Sequence, residues 1–159
     1  MEHLFYYKHL KYEKFFDEND NLILLKGYEQ DKCILINEIK NNKFHGKMIC
    51  YHLNGNLFFE TTYNNGFIDG LYSEYDSNNI CIYKCTYING ILNGKAYEYL
   101  PYDDYYIIKN YLNDKLNGEY IYYSLDNKRI DVKYYKDDQE IDHLEYFNIY
   151  DIFNKNIII

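Results

Sequence analysis

At 159 residues, 47% of them hydrophobic and with 23 Tyr and 9 Phe but no Trp, the chain is long enough for one domain with its own core and too aromatic for a disordered segment. A net charge of −8 and a pI near 5.0 leave no basic patch to neutralise phosphates, which argues against nucleic acid and against an anionic membrane surface. Ala96 is the only alanine, while Tyr, Phe and Ile suit pleated, half-buried strands, so the expected fold class is all-β.

The opening residues, Met1 to Lys8, carry no basic flank followed by an apolar run, so no leader is expected. No stretch approaches the ~20 apolar residues of a membrane-spanning helix. Residues 1–21 read as a terminal cap, strand or short helix. Gly27-Tyr28 and the run from Asn37 to Asn42 suggest one degenerate repeat. The clear repeat follows. Gly46, Gly70, Gly94 and Gly118 are evenly spaced, 24 residues apart. Five residues after each stands Tyr51, Tyr75, Tyr99 or Tyr123, and seventeen after each stands Tyr63, Tyr87, Tyr111 or Tyr135. Turn residues Gly66, Gly90, Asp114 and Asp138 hold a third column, and Asp142 and Phe147 extend the frame one step further.

Each unit reads as two strands and two turns. In the first, Lys47 to His52 is a strand, a turn at Asn54-Gly55 follows, Leu57 to Tyr63 is the second strand, and Asn64-Asn65-Gly66 turns again. Asn-Gly permits positive φ at both residues and is the strongest short hairpin signal. Strands joined by tight turns pair with their sequence neighbours, antiparallel, as a meander. Tandem hairpins are expected over 22–147, best at 46–142, and 148–159 reads as a cap or tail. The tyrosine columns would lie as ladders on a sheet face, holding the strands together or lining a binding groove.

These residues resemble the MORN-repeat family in its variant form. The family pattern is Gly, an aromatic, Asn-Gly, Leu, then Tyr-x-Asn-Gly and a closing Gly. It is carried at Gly46, Tyr51, Asn54, Gly55, Leu57, Tyr63, Asn65, Gly66 and Gly70, and more loosely in the next three units. The resemblance covers roughly residues 42–147. It implies an elongated, twisted single antiparallel sheet of hairpins with atypical capping ends. It also implies a scaffold or binding module, of a kind labelled an antitoxin component in bacteria and carried in numbers by large DNA viruses of amoebae. The A/T-rich codons of the abundant Asn, Ile, Lys, Tyr and Phe describe the genome rather than the function.

Candidate chemistry is sparse. Cys33, Cys50, Cys81 and Cys85 match no zinc spacing and no secreted disulfide framework, so free thiols in a reducing cytoplasm (a host's, if viral) are expected. His45 stands before the turn glycine Gly46, and no His-Glu-x-x-His spacing occurs. Glu74 and Glu98 occupy equivalent places in successive units, where a carboxylate pair would sit, but a solvent-facing charge explains each. From Asp103 to Asp151 acids outnumber bases two to one, a solubilising surface. No enzyme, cofactor or metal is expected. A protein partner is, either through a scaffold or as an antitoxin-like neutraliser of a toxin or enzyme, and exposed terminal strands could pair edge to edge with another copy.

Overall fold

The structure, a computed structural model, describes residues 9–147. The chain divides into two compact units after Gly90. Both are built of antiparallel hairpins, and among the described residues the only α-helical segment is the short stretch 143–147. The fold class is all-β, as the composition requires.

The first unit holds β1 (Lys11–Phe16), β2 (Leu22–Glu29), β3 (Lys32–Lys40), β4 (Lys43–Tyr51), β5 (Leu57–Asn64), β6 (Phe67–Ile68), β7 (Gly70–Tyr75) and β8 (Cys81–Ile88). Each strand pairs with its sequence neighbour, and β6 and β7 share the edge of β5 as one interrupted strand. The second unit holds β9 (Ile91–Leu92), β10 (Gly94–Leu100), β11 (Tyr105–Leu112), β12 (Lys115–Ser124), β13 (Arg129–Lys136) and β14 (Gln139–Ile141), and β10 to β14 form a meander in chain order. The part of the expected cap that is described, around β1, is therefore a strand, and 148–159 lies outside the described residues.

After a tight turn at Gln30-Asp31 that falls outside the period, tight and longer turns alternate from Asn41 on, which gives the hairpin array its 24-residue period. The tight kind stands at Asn41-Asn42, Asn65-Gly66, Asn89-Gly90, Asn113-Asp114 and Asp137-Asp138, with φ positive at both residues of each pair. That is the type I′ geometry whose twist matches the flanking strands. The longer kind runs over His52–Asn56, Asp76–Ile80 and Ser124–Lys128. In each, the first N–H reaches the fifth carbonyl at 2.8–2.9 Å, and the fourth residue (Gly55, Asn79, Asn127) has positive φ. Asp76 tightens its loop by accepting from the N–H groups of Asn78 and Ile80, and these bonds hold its carboxyl below the usual range.

The repeat glycines lie in strands, which for Gly46 corrects the expectation of a turn. Gly46 and Gly118 lie inside β4 and β12, and Gly70 and Gly94 open β7 and β10. All four have positive φ, between 75° and 120°, so each puts a local kink into an extended strand. At Gly46 a side chain would be strained by that φ and would also meet the Glu38 carboxylate. Beyond β14 the hairpin frame stops. Asp142, in the place of a repeat glycine, accepts a hydrogen bond from the Glu145 N–H at 2.8 Å and caps the helical segment that holds Phe147.

The core of the first unit lies on one sheet face in two cross-strand rows. One row runs Gly27, Leu35, Cys50, Phe59, and the other Leu25, Asn37, Met48, Thr61. Leu35, Cys50, Phe59, Met48, Thr61 and Asn37 are all at most 3% exposed. Each large apolar side chain so buried is worth roughly 1.5–3 kcal/mol. Tyr72 joins the same core, its ring stacked on Phe59 at 5.6 Å.

Candidate aromatic interaction surface

The two predicted tyrosine columns occupy fixed places in the hydrogen-bond register. Tyr63 pairs with Gly46, Tyr87 with Gly70, Tyr111 with Gly94 and Tyr135 with Gly118. The other column follows a register shift in three of its four units, where Tyr51 faces Leu57, Tyr75 faces Cys81 and Tyr123 faces Arg129; Tyr99 faces Tyr106 with no shift. All eight rings are half-buried. The ring pairs join different columns rather than like to like: Phe44 with Tyr63 at 5.3 Å, Tyr72 with Tyr87 at 6.5 Å and Tyr120 with Tyr135 at 5.6 Å. Burial pushes the Tyr63 and Tyr135 phenols up, so both are neutral hydroxyls at physiological pH.

The densest aromatic surface is in the second unit and includes residues outside both columns. On one face Glu98, Ile107 and Tyr122 lie side by side, with Ala96, Lys109, Tyr120 and Lys133 in the next row. Tyr122 contacts Tyr105 at 5.7 Å and Tyr120 at 5.2 Å. Lys109 forms an ion pair with Glu98, and its ammonium lies 5.4 Å from the Tyr120 ring centre. Burial, with Tyr122 and Glu98 close by, raises the Tyr120 phenol. The opposite face carries Tyr97, Tyr106 and Tyr123, with Tyr106 and Tyr123 stacked at 5.2 Å and the Tyr106 hydroxyl donating to Asn127 Oδ1 at 2.6 Å. At the C-terminal end a cleft of 580 Å³ is lined by Lys95, Asn117, Tyr135 and Tyr146, among others.

The remaining sequence candidates have structural places. Glu74 accepts from the Tyr72 hydroxyl at 3.0 Å, whereas Glu98 is held by Lys109, so each carboxylate has its own local partner. His45, Asp69 and Asn93, each just before a repeat glycine, accept from the N–H of a tight-turn residue twenty positions on, at 3.5, 3.3 and 3.0 Å. Only the equal spacing of these three polar residues points to that role. The four cysteines are free thiols. Among the described residues no group of three or more His, Cys, Asp or Glu is arranged to hold a metal ion, and no helix is long and apolar enough to cross a membrane. No protein-family model matches this chain, and a search of curated proteins returns no match.

Proposed function

We propose that this chain is a non-catalytic, MORN-like interaction module whose second unit offers its tyrosine-and-charge surface to a protein partner in the cytoplasm. One observation carries the reading. Places that are buried core in the first unit (Met48, Cys50, Thr61) are taken in the second by Ala96, Glu98 and Lys109 and, one repeat on, by Tyr120, Tyr122 and Lys133. Half-exposed tyrosines beside fixed opposite charges supply large contact area at low entropic cost, together with polar specificity. The acid excess after Asp103 favours a basic partner, and an antitoxin-like neutraliser of a basic toxin or enzyme is the second reading.

The test is affinity capture from the native cell with the intact chain and with a Tyr105→Ser, Tyr122→Ser double variant. The expected result is a partner lost with the double variant, whose strand spectrum is unchanged, and kept with a Tyr51→Ser, Tyr75→Ser control. Equal capture by both variants would sink the reading. A captured partner that is basic and whose activity the chain blocks would favour the neutraliser.

A further inference from the structure

Five of the eight glycines follow an asparagine: Gly55, Gly66, Gly90, Gly94 and Gly118. In such a pair the glycine nitrogen, unhindered by a Cβ, is well placed to attack the asparagine side-chain amide. The attack needs the glycine N–H released and the asparagine backbone turned toward its own side chain, so the fold sets the rate pair by pair. Gly94 and Gly118 are in strands, paired with Tyr111 and Tyr135. Gly66 and Gly90 are in tight turns, where their N–H groups donate to main-chain oxygens of the hairpin before, at 2.8 and 2.7 Å. Opening any of these four gives up pairing between strands or hairpins. Gly55 differs. It stands at the exposed tip of a longer turn, and its N–H donates within that turn, to the His52 carbonyl at 2.8 Å. Nothing lies within 4 Å of where its Cβ would be.

The Asn54 side chain is also set for the attack. Its Oδ1 accepts from the Asn56 N–H at 3.0 Å, an Asx turn that folds the side-chain amide back along the Gly55 peptide. The same N–H polarises the amide carbonyl and meets the negative charge that grows on Oδ1 as the carbon is attacked. We infer that Asn54-Gly55 is a self-modifying site, at which the chain converts its own asparagine to aspartate or isoaspartate without a second protein. The Gly55 nitrogen bonds to the Asn54 side-chain carbonyl carbon. The bond from that carbon to Nδ2 breaks, and the glycine proton passes through water to the departing nitrogen, which leaves as ammonia. Water then opens the five-membered imide at one of its two carbonyls. One water is consumed and one ammonia released, with no oxidant or reductant. The product changes a contact between turns. Asn54 Nδ2 and Asn56 Nδ2 both donate to the Ser77 carbonyl, each at 2.8 Å. After conversion a carboxylate stands in place of the first donor, so one of the two bonds is lost and the chain gains a negative charge.

The experiment incubates the purified full chain at neutral and mildly alkaline pH and follows each Asn-Gly pair by peptide mapping. Mass spectrometry reads NH2 exchanged for OH, and an isoaspartate-specific methyltransferase labels one of the two products. The expected result is conversion at Asn54 about tenfold ahead of Asn65, Asn89, Asn93 and Asn117, with the rate rising with pH. In urea strong enough to unfold the chain, the five pairs should convert at similar rates, because the fold no longer tells them apart. As Asn54 converts, the amide signal of Asn78, which follows the Ser77 carbonyl, should shift. An Asn54→Gln chain, whose longer side chain closes the ring far more slowly, should lose the fast conversion and keep the four slow ones. Three results would overturn the inference: conversion at Asn54 no faster than at the other four pairs in the folded chain, the same order of rates in urea, or a fast conversion that survives Asn54→Gln.

Discussion

The two units use one repeat frame for opposite ends. In the first, a face of Leu35, Met48, Cys50, Phe59 and Thr61 closes on itself and excludes water. In the second, the same register carries Glu98, Lys109, Tyr120 and Tyr122, and Ala96 and Ile107 are what remains of a core on that face. The backbone ladder and its turns hold the hairpin geometry in both, so side chains on the columns are free to change from packing to display. Repeat architecture separates the two tasks: main-chain pairing fixes where a side chain sits, and the residue type decides what it does there.

Three measurements would break or sharpen that contrast. The largest effect is expected from Phe59→Ala, a loss of about 3–4 kcal/mol in urea denaturation because its ring is fully buried. Tyr122→Ala should lose only about 1 kcal/mol, since that ring is half in water. Equal losses would mean the second face is core after all. Next comes Lys109→Met, expected to cost about 1–2 kcal/mol because it leaves Glu98 without its cation in a partly screened site. Adding Glu98→Gln should restore most of that loss in a double-mutant cycle, and a pair that gives no coupling would not be the organised feature described above. The smallest is Tyr72→Phe, about 1 kcal/mol at neutral pH for the lost bond to Glu74. Burial raises the Tyr72 phenol above its ordinary value of 10.0. The stability linked to that shift is fully present below pH 10.0 and is lost as pH climbs above it. The Phe variant has no phenol to ionise, so the gap between the two proteins should narrow in alkali. A gap that stays constant would remove the buried phenol from the account.

The period, the meander and the tight turns are legible in the residues because Asn, Asp and Gly are the types that accept positive φ, and five such pairs recur at one spacing. The glycine column is legible as a fixed backbone feature but not in its true element, since positive φ serves a kink inside a strand as well as a turn. The repeat frame puts Phe147 in a further hairpin because Asp142 suits a turn and a helix cap alike, and sequence does not distinguish the two uses. The tyrosine columns are visible as columns. Tyr105, Tyr106, Tyr120 and Tyr122, which make the richer surface, do not form a recurring column and emerge only once cross-strand neighbours are known. Lys109 has one signal: it falls in the column of Thr61 and Cys85, a strange place for a lysine unless something answers its charge.

The tight turns have one further property. The N–H of the second residue in each of four of them donates to a main-chain oxygen of the hairpin before: Gly66 to Phe44 and Gly90 to Ile68, at 2.8 and 2.7 Å, then Asp114 to Leu92 and Asp138 to Leu116, both at 3.0 Å. No particular side chain is needed at either end of that link. A duplicated module would therefore arrive with its own attachment to whatever precedes it, and gene copying in multiples of 72 bases could lengthen or shorten the array without compensating mutations. A frame-preserving loss of a single codon between two turns has no such tolerance, because it would set the donor whose link spans the loss against the wrong oxygen.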